Sequence, residues 1–188
     1  MGTAILIAVG VVVVFVFVCI SIYNGIVARN NEAKNAWSQI DVQLKRRYDL
    51  IPNLVETVKG YMKHERETLD AVVRARQQCV DASKAGNIGE LARAEGALSG
   101  SLRGLFAVSE AYPDLKSNQN MMQLQEELTS TENRIGFARQ AYNDAAMRLN
   151  NALEQFPSSL IAGFGKFKQL EFFQVESPEE KKAVKVSF

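Results

Sequence analysis

The sequence contains few of the side chains on which catalysis and metal binding depend. It has one histidine, His64, and two cysteines, Cys19 and Cys79, among 188 residues. Zinc sites need three or four Cys, His or carboxylate ligands, and a di-metal Glu-x-x-His motif is excluded because position 61 is Tyr. On one helix, His64 and Cys79 would stand about four turns apart. The sequence therefore predicts no catalytic, cofactor-binding or metal-binding residue and no enzymatic activity.

Charged side chains are absent from the beginning of the chain, where none precedes Arg29. The 22 Lys+Arg and 21 Asp+Glu residues all follow, and they give a net charge of +1. This distribution excludes a simple soluble globule. A nearly balanced charge also argues against nucleic acid as a partner, because binding phosphates requires a basic face. Four prolines and 12 glycines are too few for a collagen-like or proline-rich disordered chain.

Residues 4–22 form a long apolar run, AILIAVGVVVVFVFVCISI. A helix of about 20 residues spans the roughly 30 Å hydrocarbon layer of a bilayer. A cleavable signal peptide would have a basic start and a shorter apolar stretch, and Val18 stands where a lipoprotein needs a small residue before Cys19. We therefore expect residues 1–28 to be an uncleaved single-pass anchor that contacts the bilayer through residues 4–22, with Tyr23 at the membrane interface.

The flanks of this segment predict its orientation. Basic residues follow it at Arg29, Lys34 and residues 45–47, whereas no basic side chain precedes it. By the positive-inside rule, the large C-terminal part should face the cytoplasm and the N-terminus should lie outside. Arg29 is expected, like Tyr23, to mark the membrane interface.

Apolar residues beyond the anchor recur at steps of three and four, which is typical of amphipathic helices. Helices are expected over 29–82, 88–110 and 118–156. No segment shows sustained period-two alternation, so the fold class is all-α: a transmembrane helix followed by an antiparallel (four-)helix bundle with long helices over 29–157. Pro52 predicts a kink or break near Asp49–Ile51, because proline removes a backbone donor. A straight helix over 29–82 would be too long for the second helix to cover. Either Pro52 folds this first helix back on itself, or neighbouring subunits cover the excess length.

Small residues recur every fourth position in the second helix, at Ala92, Gly96, Gly100 and Gly104. Each glycine costs about 1 kcal/mol of helix propensity relative to alanine. Close approach of another backbone along this face would offset that cost. The partner is either another helix of the same subunit or a second subunit, and Gly100→Leu is expected to disrupt folding or assembly.

Two further segments carry polar or aromatic side chains in unusual density. The run from Asp41 to Asp49 alternates acids, Gln43 and the basic pair Arg46 and Arg47, which predicts either surface ion pairs or a polar network across a helix or subunit interface. The tail, residues 158–188, holds half of the ten phenylalanines: Phe164, Phe167, Phe172, Phe173 and Phe188. A disordered tail would not be so aromatic, so it should pack on the bundle, on the bilayer surface or on a partner.

Several motifs resemble those of the bacterial LemA family. They are Tyr23–Asn30, Asn35–Leu54, Glu132–Ile135, Arg139–Asn143 and Asn150–Pro157. The resemblance covers nearly the whole chain, and it implies a short outside terminus, one span of the bacterial inner membrane and a cytoplasmic four-helix bundle. The polar residues of these motifs join the network candidates: Asp41, Gln43, Arg46, Arg47, Asp49, Asn53, Asn133, Arg134, Arg139 and Tyr142. The family supplies no reaction, and it suggests membrane organisation as a class of role.

Two functions fit these observations. The first is a non-enzymatic, membrane-anchored helical scaffold that self-associates as a homo-oligomer and organises membrane or membrane-protein partners. The alternative is an accessory or adaptor subunit of a membrane protease or envelope-stress system, with the aromatic tail or the basic run as its docking element.

Overall fold

A computed structural model of the chain describes residues 1–62 and 64–174. Over these residues the chain forms six helices and no strand. The helices are α1 (Gly2–Lys59), α2 (Arg66–Ala85), α3 (Ile88–Ser109), α4 (Pro113–Lys116), α5 (Gln119–Glu154) and α6 (Ser158–Gly165). The all-α prediction is confirmed. Phe188 and the rest of 175–188 lie outside the described residues.

The chain divides into two compact units that share α1 and α5. The anchor unit comprises Met1–Gln39 and Arg139–Glu171, and the bundle unit comprises Ile40–Ala138 together with the described residues 172–174. In the anchor unit, α1 begins with the apolar run, which is exposed and is long and apolar enough to cross a membrane. The predicted span is therefore one continuous helix with the segment that follows it.

The bundle unit consists of the second part of α1, then α2, α3 and the first part of α5. Each contributes one stripe of buried side chains, including Ile40, Leu44, Ile51, Leu54 and Val58 of α1, Leu69, Val72 and Ala75 of α2, Leu91, Leu98, Leu102 and Leu105 of α3, and Met121, Leu128 and Ile135 of α5. Arg46 meets Glu127, whereas Tyr61, just beyond α1, meets Asn118. Later residues of α1 thus face earlier residues of α5, so these two helices are antiparallel as expected.

The chain reverses between α1 and α2, and the predicted helix over 29–82 is therefore two helices. The alternative of a break near Asp49–Ile51 is wrong, since α1 continues as helix through Pro52 to Lys59, whereas the alternative of a kink at Pro52 stays a prediction. The turn predicted at Gly86–Asn87 is found: Gly86 ends α2 with a left-handed φ of 70°, a conformation that glycine adopts without strain. Asn87 then caps α3 by accepting a 3.1 Å hydrogen bond from the Glu90 amide.

The helix tolerates Pro52 because the hydrogen bond that proline removes is replaced. A residue at position 52 would normally donate its amide to the carbonyl of Tyr48, four residues back. That carbonyl instead accepts a 2.7 Å hydrogen bond from Nε of Arg76 in α2. Pro52 therefore leaves an acceptor that α2 satisfies, and the contact attaches α2 to α1.

The small residues of α3 do not share one packed face. Ala92 is buried and Gly96 half-buried, whereas Gly100 and Gly104 are exposed, and a Cβ built on either would have no described neighbour within 4 Å. Four residues turn an α-helix by about 40° more than a full circle, so three such steps rotate the side-chain direction by roughly 120°. The expected packing within the subunit is thus wrong at Gly100 and Gly104. Contact with a second subunit stays a prediction.

Arg76→Met is expected to lower the free energy of unfolding by about 1–3 kcal/mol, because the Tyr48 carbonyl loses its charged donor. In a Pro52→Ala background the same substitution should cost less, because the alanine amide can donate to that carbonyl. Thermal and denaturant unfolding of the full chain in detergent, followed by circular dichroism, measures this difference. Arg74→Met, which removes an exposed arginine of the same helix, is the matched control. Equal losses in both backgrounds would show that Arg76 does not compensate for Pro52.

Candidate functional site

The centre of the bundle unit holds a buried carboxylate, that of Glu95 on α3, which is 3% exposed. Its Oε1 accepts a short hydrogen bond from the Tyr48 hydroxyl, and its Oε2 accepts a 3.1 Å hydrogen bond from Nη1 of Arg47. The buried thiol of Cys79 on α2 lies close enough to influence the pKa of this carboxyl group. The carboxylate therefore binds two side chains of α1 and lies beside a side chain of α2.

Arg47 extends this arrangement to α5. Its guanidinium is 2.8 Å from Oε2 of Glu132 and donates a 2.8 Å hydrogen bond to the Ser99 hydroxyl. Ser99 in turn donates to Oε1 of Glu132 over 3.3 Å. The four long helices of the bundle unit thus each place a side chain in one polar cluster, which we call the polar network and define as Arg47, Tyr48, Cys79, Glu95, Ser99 and Glu132.

Burial controls the protonation of this network. Desolvation raises the pKa of Glu95, against the opposing effects of Arg47, Tyr48 and Cys79, while Glu132 adds to the rise. Desolvation and the nearby Glu95 also raise the pKa of the Tyr48 hydroxyl and of the Cys79 thiol. Both groups therefore stay protonated. Since the thiolate is the nucleophilic form of cysteine, burial disfavours reaction at Cys79.

A cavity of about 190 Å³ adjoins the network between α1, α3 and α5. Arg47, Ser99 and Glu132 line its polar side, and Leu102, Phe106 and Leu128 line its apolar side. Ligand pockets usually measure about 300–1,000 Å³. This cavity is smaller than that range, and the network side chains that line it already bind one another. Within 1–62 and 64–174, no group of three or more His, Cys, Asp or Glu side chains is arranged to hold a metal ion.

The structure brings together only some of the polar residues singled out in the sequence. Arg47 lies in the network, Arg46 forms an exposed ion pair with Glu127, and Asn133 lines the cavity. Three others are exposed on α1, and one is exposed on α5: Asp41, Asp49, Asn53 and Arg134. Gln43 is half-buried, and its Oε1 is buried with no hydrogen-bond partner in the described parts of the chain.

Sequence reasoning missed Glu95, although a signal was present. Glu95 occupies the position between Leu91 and Leu98 in the apolar stripe of α3, where a leucine would be expected. A charged residue on a buried stripe requires a partner of opposite charge. Arg47 on α1 is that partner.

The anchor unit has its own small core where the apolar run of α1 ends. Ile26, Leu149 and Ala162 are buried there. Partly buried apolar side chains surround them: Ile22, Leu153, Ile161, Phe167 and Leu170. The rings of Tyr23 and Phe167 lie 5.7 Å apart. These contacts fix α6 and the residues after it against α1 and α5.

Two further contacts hold the segment after α6. Asn150 donates from Nδ2 to the Leu170 carbonyl and accepts at Oδ1 from the Leu170 amide, both at 2.9 Å. Tyr142 donates a 2.9 Å hydrogen bond to the Glu171 carbonyl, and its ring meets Trp37 edge-on at 5.0 Å. Burial raises the pKa of Tyr142, which keeps its hydroxyl a donor. In the anchor unit, Phe167 and residues 170–171 of the aromatic tail therefore pack on this chain, whereas Phe164 is exposed.

The remaining sequence-predicted residues lie in the anchor unit. Tyr23 is 44% exposed beside Phe167. Arg29 is exposed, and its Nη1 donates to the Gly25 carbonyl over 3.1 Å. Arg139 is half-buried at the start of the α5 portion of this unit.

An all-helical chain whose first helix begins as an exposed apolar span and continues into a bundle defines a membrane-associated helical protein. The sequence matches the LemA family over residues 36–188, and the chain belongs to that family. It is 27% identical over 186 residues to magnetosome protein MamQ 2 of Paramagnetospirillum magneticum, covering 87% of this chain and 68% of the relative. It is 26% identical to magnetosome protein MamQ of Magnetospirillum gryphiswaldense (86% and 68% covered) and 27% identical to protein LemA of Metamycoplasma hominis (88% and 75% covered).

Arg47→Met is expected to destabilise the bundle by about 3–5 kcal/mol at pH 7, because Glu95 is left as a buried carboxylate without its ion pair. The pKa of Glu95 is raised in the folded state, which means that folding favours the protonated carboxyl group. The stability that Glu95 contributes is therefore fully present below its ordinary pKa of 4.5, and it is lost as the pH rises through the raised pKa. Removing Arg47 raises that pKa further. The variant should therefore lose less stability at pH 5 than at pH 7.

Unfolding midpoints of the full chain in detergent at both pH values test this expectation. Adding Glu95→Gln to Arg47→Met should abolish most of the pH difference, although Tyr48, Cys79 and Glu132 still face the site. The matched control is Arg46→Met, which removes an exposed ion pair and should cost no more than about 1 kcal/mol. If Arg47→Met and Arg46→Met behaved alike, the network would not determine bundle stability.

Proposed function

We propose that this protein is a non-enzymatic, membrane-anchored helical scaffold that self-associates and organises membrane or membrane-protein partners. The observation that carries the proposal is α1, in which an exposed, wholly apolar span continues without a turn into a charge-rich bundle helix. The bundle interior is occupied by a polar network whose donors and acceptors bind one another. The magnetosome proteins among its relatives support a role at a membrane.

In this proposal α1 spans the bacterial inner membrane, and the bundle lies on the cytoplasmic side. Arg29 and Lys34 follow the span and are exposed, whereas the residues before it carry no basic side chain. Basic residues next to a span stay on the cytoplasmic side. The short N-terminus then lies outside.

Self-association uses the exposed side of α3. Ala97, Gly100, Gly104 and Ala107 are exposed and lie within about 80° of one another around the helix, and we call them the small-residue face. Glycine at two exposed helical positions costs about 1 kcal/mol each relative to alanine. Neither glycine is needed for packing within the described chain. Close approach of α3 from a second copy would offset that cost.

The alternative function, an accessory or adaptor subunit of a membrane protease or envelope-stress system, is favoured by Phe137. This α5 residue is 74% exposed, more than any other large apolar side chain described in the bundle unit. Native mass spectrometry in detergent separates the two functions. A homo-oligomer without other proteins supports the scaffold, whereas a monomer that carries a different protein supports the adaptor.

Gly100→Leu is expected to reduce the size of the assembly while leaving the unfolding midpoint unchanged or slightly higher, because leucine favours helix and the space around Gly100 is open. Gly100→Ala should keep the assembly, since a methyl group still permits close approach. The matched control is Ala141→Leu, which enlarges an exposed small residue of α5. Assemblies of unchanged size in Gly100→Leu would contradict the small-residue face.

Orientation can be tested with reporter fusions to the full chain. Green fluorescent protein fused at the C-terminus should fluoresce, and alkaline phosphatase at the same position should be inactive, because the former folds in the cytoplasm and the latter needs disulfides formed outside it. The opposite pair of results would reverse the proposed topology.

A further inference from the structure

Three large apolar side chains around α6 are exposed in the anchor unit. Phe156, Leu160 and Phe164 follow one another at steps of four residues and are 80%, 59% and 89% exposed. Leu160 and Phe164 lie on one face of α6, and Phe156 lies in the turn before it. We call these three residues the interfacial patch. Adjacent exposed apolar side chains on a folded surface usually mark a contact with a partner or a membrane.

The opposite face of α6 determines where the patch lies. Ala162 is buried and Ile161 packs beside it in the same core as Ile22 and Ile26 of α1. At the end of α6, a Cβ on Gly165 would come within 3.3 Å of the Tyr23 ring. Helix α6 is therefore held beside residues 22–26, the level at which the apolar run of α1 ends.

This level corresponds to the edge of the bilayer when α1 spans it. A run of about 20 apolar residues matches the roughly 30 Å hydrocarbon layer, so residues just after position 22 lie at the boundary between acyl chains and headgroups. A surface helix buries its apolar face about 5–10 Å into that boundary. Leu160 and Phe164, on the exposed face of α6, therefore lie near the level at which the apolar run of α1 ends.

The residues next to the patch fit lipid headgroups. Lys166 and Lys168 directly follow α6 and are exposed, and Tyr23 lies beside Phe167. Lysine near a membrane surface attracts anionic headgroups, and tyrosine is enriched at the interface. Apolar side chains flanked in this way match a bilayer surface rather than a protein groove.

We propose that α6 is a second membrane contact, in which Phe156, Leu160 and Phe164 enter the interface of the leaflet on the bundle side of the span. This inference rests on the proposed anchoring by α1. A single helix can rotate about its own axis in a bilayer, whereas a helix with α6 fixed beside it presents only one side to that leaflet. The patch would therefore set the rotation of the anchor unit.

The test uses a tryptophan reporter in the full chain reconstituted into nanodiscs. Trp37, the only tryptophan, is first replaced by Phe, and Phe164→Trp is then introduced. We expect its tryptophan emission to be blue-shifted. Lipids brominated near the headgroup should quench this emission more strongly than lipids brominated deep in the acyl chains. Met147→Trp is the control within the anchor unit: this site is 47% exposed, and its neighbour Arg148 pairs with Glu32, beyond the apolar run. It should be unquenched.

A second reporter separates failure of this inference from failure of the anchor. Phe15→Trp in the same background should be quenched most strongly by lipids brominated deep in the acyl chains. The reporter at position 15 can be quenched while the reporter at position 164 is unquenched and emits as in water. In that case α1 spans the bilayer but α6 does not contact lipid. If the reporter at position 164 is blue-shifted but unquenched, a protein surface covers the patch and the lipid proposal is overturned. Loss of quenching at position 15 would refute the anchor itself.

Discussion

The bundle depends on the burial of one charge, the carboxylate of Glu95. Taking a carboxylate out of water costs several kcal/mol unless charged and hydrogen-bonding partners replace the solvent. Here the replacements come from Arg47 and Tyr48, and Arg47 is itself bound by Glu132. A shift of α1 against α3 by one residue would separate this carboxylate from both donors. The network therefore specifies which turn of α1 faces which turn of α3, something that leucine stripes alone do not determine.

Tyr48 joins two of these constraints in one residue. Its hydroxyl donates to Glu95 on α3, while its backbone carbonyl accepts from Arg76 on α2 because Pro52 has no amide to offer. The same position of α1 is thus attached to two neighbours, once through the side chain and once through the backbone. Proline, usually a source of helix breaks, here creates an acceptor that contributes to the packing of helices.

Much of the fold could be predicted from the sequence, because periodicity and hydropathy are local properties. The apolar span and the helices ending at Ser109 and Glu154 follow from them. The role of Pro52 could not be predicted, since its compensating donor is distant in sequence. The prediction that the small residues of α3 share one packed face was wrong at Gly100 and Gly104, because a step of four residues is not a whole number of helical turns. The candidate network was predicted only in part: Arg47 stood out as basic, whereas Glu95 was hidden among apolar neighbours.

The paired hydrogen bonds between Asn150 and Leu170 have a further consequence. One primary amide donates to a carbonyl and accepts from an amide of the same residue, as a neighbouring β-strand would. Both bonds involve only the main chain of residue 170, while its side chain packs in the core of the anchor unit. Another apolar side chain at position 170 would therefore keep both bonds, whereas position 150 is confined to a carboxamide. The segment after α6 is thus held by recognition of its backbone as well as by apolar packing.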